Sequence, residues 1–182
     1  MQKFIITITD TSEQIVADEQ AVCHVLSTSL PLSALEVYIN ELRQTESLIL
    51  LQGADSSELC QKYKCDGVVI EINDESSYKK QILPIRDKLG SKKIIGVIIP
   101  LLRHAAMIVG ETEPEFVSFR IDSISDIGRA EKLIEWYNEL FLIQSAVVGQ
   151  VASSSLADLG TDFVMISPKN YKILVAKKER LD

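Results

Sequence analysis

The chain is poor in the residues that announce most small-site chemistries. Among its 182 residues there are two histidines and three cysteines, Cys23, Cys60 and Cys65, with no C-x-x-C spacing. That set is too small and too scattered for a zinc-type ligand cluster, and an odd number of thiols argues for reduced, buried cysteines. Eight glycines and five prolines in a chain 46% hydrophobic and 25% charged exclude a low-complexity or disordered polymer. No apolar run approaches the ~18 residues of a membrane span, and the opening "MQKFIITITD" is too short in its apolar part for a signal peptide. A basic stripe is missing as well. The net charge is −7, which argues against a nucleic-acid footprint. The expectation is one domain over residues 1–182, soluble and cytoplasmic, with "KKERLD" as a solvated, mixed-charge helix end.

What is present is alternation. Eight short apolar runs, "KFIITI", "AVCHVL", "SLILLQ", "GVVIEI", "KIIGVIIP", "EFVSFRI", "QSAVVG" and "DFVMIS", read as parallel strands covered on both faces. Helical stretches separate them. "PLSALEVYINELRQ" places Leu35, Tyr38, Ile39 and Leu42 on one face, with Pro31 at its start. "SSYKKQILPIRDKLG" closes on Gly90, and Pro84 inside it predicts a kink or a late start. "SDIGRAEKLIEWYNELF" buries Ile127, Ala130, Ile134, Tyr137 and Leu140 or Phe141. "SSSLADLG" is a short helix ended by Gly160, and "SEQIVADEQ" is read as a brief first helix. Eight strands in this rhythm leave an open doubly wound sheet or a closed barrel. "ITDTSEQ" has no glycine for a nucleotide-binding first turn, so the expected fold is a compact (β/α)8 TIM barrel with irregular first two βα units.

In order and spacing, roughly Ser47 to Ser167 resembles the thiamine phosphate synthase and TenI-like family of small barrels. "CDGVVIEIND" is similar to that family's Asp-Gly-Val-His-Leu-Gly fourth strand, and "KLGSKKIIGVIIP" to its fifth. "EFVSFRI" and "AVVGQVASSSLADLGTDFVMIS" stand where its last three strands lie, and "KFIITITD" resembles its opening strand. The family joins a pyrimidine diphosphate to a thiazole phosphate, and the resemblance implies three devices for doing so. A Gln-x-Arg-x-x-Lys strand end would grip diphosphate, but "CHVLSTS" puts His24 and Leu26 there with no following base. Carboxylates after strands three and four would hold magnesium. Here the first place is Gln52-Gly53, and Asp74 alone carries over. A phosphate cradle would need a Thr-rich loop with lysine and a Gly-Gly pair, where this chain has "IDSISD" and Gly149-Gln150.

Two further departures sit on the strands. Glu71 and Arg120 occupy family glycine positions on strands four and six, which share a layer of inward side chains. They read as two halves of a plug that neutralise each other, with Met165 narrowing the same space. Exposed strand-end charges and a new catalytic ion pair are the other readings of the two residues. The expected ligand mouth comprises Glu71, Arg120, Asp122, Gly149 and Ser153, the last at a helix start that offers backbone N–H groups. His24 is expected inside the barrel, more as a hydrogen-bonded core residue than as its candidate general base, and His104 falls near the mouth with no identifiable partner. Aspartates 10, 55, 74 and 122 follow strand ends, as helix caps or as chemistry.

The leading expectation is a synthase-like barrel without synthase activity, acting as a ligand-binding or interaction protein toward a small molecule or a protein. It involves no nucleic acid, no membrane and no cofactor, and leaves room for a homodimer. The alternative is an active enzyme: a TenI-like isomerase acting on a thiazole with His24 as base, or a thiamine phosphate synthase with a rearranged site. Magnesium enters only on the synthase reading.

Overall fold

The computed structural model describes residues 2–74 and 77–178. Eight parallel strands close a barrel in sequence order: β1 (Lys3–Ile8), β2 (Ala21–Ser27), β3 (Leu48–Gln52), β4 (Gly67–Glu71), β5 (Ile94–Pro100), β6 (Phe116–Ile121), β7 (Gln144–Gly149) and β8 (Phe163–Ile166). The barrel is closed by β8 pairing back onto β1. Seven α-helices accompany them among the described residues: α1 (Leu32–Leu42), α2 (Ser56–Tyr63), α3 (Tyr78–Leu89), α4 (Arg103–Gly110), α5 (Ile127–Leu140), α6 (Ser153–Ala157) and α7 (Pro168–Lys178). None is long and apolar enough to cross a membrane.

Each strand is buried on both sides because its two phases meet different partners. One phase packs outward on the helices; the other fills the interior with Ile5, Cys23, Val25, Leu50, Val69 and Ile98, among others. The register around the barrel makes alternate strands share a layer. Val25, Val69, Ser118 and Met165 form one such layer, and Ser27, Glu71, Arg120 and Ser167 form the uppermost. Glycine matters where neighbours come close. A Cβ on Gly96 would lie 2.0 Å from the ring of Phe116, which fills the space that glycine leaves.

The anticipated helix faces hold for α1, where Leu35, Tyr38, Ile39 and Leu42 are the buried set. On α5, Ala130, Leu133, Ile134 and Tyr137 are buried, Phe141 packs against the core, and Leu140 is exposed. Gly90 caps α3 at φ +80°, and that helix runs through Pro84. The irregularity expected of the first two βα units is confined to the first, which lacks even the brief helix expected there. Residues 12–20 form no helix, whereas α1 is regular. The apolar residues Ile15, Val16 and Ala17 are consecutive, so a helix cannot turn them to one side. An extended path buries Val16 instead, and the segment is tied down by the Tyr38 hydroxyl, which donates to the carbonyl of Glu13 at 2.6 Å. Residues 179–182 of the expected C-terminal helix end lie outside the described residues.

Candidate functional site at the barrel mouth

The C-terminal mouth is where this architecture places chemistry. β4 ends on Glu71 and β6 presents Arg120 one residue before its end, so both side chains rise from the uppermost interior layer. They meet. Arg120 Nη1 donates to Glu71 Oε1 at 2.8 Å and also to Asn73 Oδ1, while its Nε lies 3.3 Å from Asp122 Oδ1. From β3, Gln52 Nε2 reaches Glu71 Oε2 at 3.5 Å. The Glu71 carboxylate, followed by Asp122, holds the Arg120 guanidinium above its ordinary pKa.

The pair forms as expected, but it is not hidden. The Glu71 side chain is 39% exposed and that of Arg120 is 27% exposed. The reason lies in the layers: β4 stops at Glu71, so no further inward side chain covers it. Below, Met165 is 1% exposed and packs with Val69, and Ser118 is buried with no hydrogen-bond partner for its hydroxyl. The mouth is therefore a mixed-charge surface over a filled interior.

His24 is a hydrogen-bonded core residue, as expected, but it does not lie inside the barrel. It lies in the outward phase of β2, fully buried against the helix side of the wall. Its Nε2 accepts the backbone N–H of Val16 at 3.1 Å, and its Nδ1, which then carries the proton, faces Ser47 Oγ at 2.8 Å. Burial lowers its pKa to about 4. The error came from phase: Cys23 and Val25 point inward, so His24 between them points out. His104 is exposed on the first turn of α4.

The remaining expected residues scatter. A Cβ on Gly149 would lie 2.1 Å from the carbonyl oxygen of Ile121, so close strand packing is enough to require a glycine here. Ser153 opens α6 and lines a small cavity of about 160 Å³ with Asn170, Leu174 and Lys177. The expected capping role fails for three aspartates: Asp10 accepts the N–H of Ser12, Asp55 makes no side-chain cap at α2, and Asp122 turns to Arg120. Among the described residues no three His, Cys, Asp or Glu side chains gather to hold a metal ion. Gln52 stands at one implied magnesium position with its amide turned to Glu71, so the donors present do not fit that ion. The thiols of Cys23, Cys60 and Cys65 are all pushed up by burial.

Sequence reasoning missed Asn73 and a set of acids at the opposite, N-terminal end. Asp66 accepts the N–H of Ile49, Glu115 that of Ile95, and Asp162 that of Ser145. Each acid immediately precedes an even-numbered strand and binds the start of the odd-numbered strand before it. The repeat is visible in "DGVV", "EFVSF" and "DFVM".

No family model matches the chain. A thiamine-phosphate synthase from Erythrobacter litoralis is 33% identical over 123 residues, covering 62% of this chain and 55% of the relative. This chain is a barrel similar to thiamine-phosphate synthase. The match spans little more than half of that relative's length. Thiamine phosphate pyrophosphorylase from Pyrococcus furiosus superposes with a TM-score of 0.62 at 12% identity, over 96% of each chain. The tryptophan synthase complex from the same organism gives 0.65 at 14% identity, over 96% of this chain and 90% of that one. At such identities these structures share the fold.

Proposed function

We propose that this synthase-like barrel does not form thiamine phosphate and instead binds a small-molecule or protein partner at its C-terminal mouth. The observation that carries this reading is the commitment of Arg120. The cation of the uppermost layer is already engaged by Glu71, Asn73 and Asp122. Transfer at a diphosphate depends on positioned positive charge that compensates the leaving group. A carboxylate about 5 Å away at an effective dielectric near 20 opposes each phosphate charge by roughly 3 kcal/mol. Glu71 and Asp122 supply that opposition, and Gln52 supplies no magnesium carboxylate. A histidine-based isomerase gains no support from His24, whose ring is bonded within the wall.

The test is direct turnover. The purified chain, given the pyrimidine diphosphate, the thiazole phosphate and magnesium, is expected to yield no thiamine phosphate above the protein-free control. Sustained formation that scales with protein concentration would overturn the proposal.

A further inference from the structure

A (β/α)8 barrel normally covers each strand-to-strand connection with a helix. Here every connection but β1–β2 has one among the described residues, and the extended segment leaves a groove beside α1. The groove holds about 650 Å³, with Ile15, Ala34, Val37 and Tyr38 as its apolar lining and Glu13 and Glu41 as its acids. Val37 is 55% exposed there.

The two helices flanking this vacancy carry opposite charge. Between Lys3 and Arg43 the sequence has no lysine or arginine, while Asp10, Glu13, Asp18, Glu19, Glu36 and Glu41 all fall in that stretch. On the other side, α7 exposes Lys169, Lys172, Ile173 and Ala176, with Ile173 at the border of the small cavity beside α6 and Lys177 within its lining. Their spacing of three and four makes one stripe, basic at its edges and apolar at its centre. Ile173 is 47% exposed. α7 already borders the vacancy, since Lys172 Nζ lies 3.4 Å from Gln14 Oε1.

We propose that a second copy of this chain covers the vacancy, the α7 stripe of each copy lying on the acidic groove of the other. Both helices run from the mouth toward the base. A two-fold axis along the vacancy, parallel to them, carries α7 of one copy over α1 of the other. The exposed Val37 and Ile173 then meet, and Lys172, on the vacancy side of α7, faces the groove acids Glu13 and Glu41. Such a contact is self-complementary and closed, as a two-fold interface must be. It places apolar against apolar and acid against base.

Sedimentation velocity on the full chain tests this. At low ionic strength the particle is expected at twice 20.3 kDa, with dimer weakened by about 1 M salt, which screens the charged rim. Val37→Asp and Glu41→Lys should each raise the dissociation constant at least about tenfold. Both sites are exposed, so circular dichroism should show unchanged folding. Combining Glu41→Lys with Lys172→Glu restores opposite charges and should recover the dimer, which a merely structural effect would not do. A monomer at about 100 µM in low salt overturns the proposal, including one that takes a basic helical peptide instead. A dimer indifferent to both single substitutions overturns it equally.

Discussion

The base and the mouth of this barrel use carboxylates in opposite ways. At the base, Asp66, Glu115 and Asp162 each accept a backbone N–H from the start of a neighbouring strand, and Glu115 also holds Arg86 at 2.7 Å. Those acids satisfy donors that the barrel's own ladder leaves open. At the mouth, Glu71 and Asp122 satisfy no strand donor. They face Arg120 and solvent. The base charges are part of how the strands are held in register; the mouth charges hold no backbone donor and can be altered at little structural cost. That difference separates the end that stabilises this barrel from the end where the architecture places chemistry.

The strongest expected effect comes from His24, which joins the Val16 segment to Ser47 on the base side. Burial lowers its pKa from the ordinary 6.5 to about 4. Between those values the unfolded chain takes up a proton that the folded chain refuses. Stability is therefore full above about pH 6.5 and falls as pH drops toward 4, by up to roughly 3 kcal/mol. Denaturant titrations across this window should show that slope, and His24→Gln should flatten it. A slope unchanged by the substitution would show that the imidazole is not held neutral in the wall.

Next is the carboxylate contact at the base. Asp66→Ala leaves the Ile49 N–H without its acceptor and should cost about 2 kcal/mol, whereas Asp66→Asn keeps an acceptor oxygen and should cost less. Equal losses for the two variants would mean that the charge, and not the hydrogen bond, matters at the base.

The smallest effect is expected at the mouth. Glu71→Gln and Arg120→Met should each shift stability by less than about 1 kcal/mol, because exposed pairs are screened by water. A double-mutant cycle should give a coupling within the same bound. Losses of about 3–5 kcal/mol, as for a buried pair, would erase the contrast between the two ends.

The fold and the meeting of Glu71 with Arg120 were legible in the residues, but the contrast between the two ends was not. Continuous β-branched runs gave eight strands, and the shared phase of "GVVIEI" and "FVSFRI" brought Glu71 to Arg120. Their exposure was not legible, because it depends on which layer is last. β4 ends at Glu71, and only closure of the barrel makes that the rim. His24 was misplaced because its strand is apolar in both phases, so alternation alone did not say which phase faces inward. Asp66, Glu115 and Asp162 were written plainly before their strands, yet their partners lie 17 to 20 residues away and appear only when the strands pair. The short α2 and α4 were passed over, since eight residues carry little helical period.

The central claim is that the mouth lacks a diphosphate grip, and calorimetric titration of pyrophosphate with magnesium tests it most directly. The account predicts no saturable heat at submillimolar concentrations, with Glu71→Gln first to gain any binding, since it removes one opposing charge beside Arg120. Saturable submillimolar binding by the unaltered chain, abolished by Arg120→Met, would contradict it.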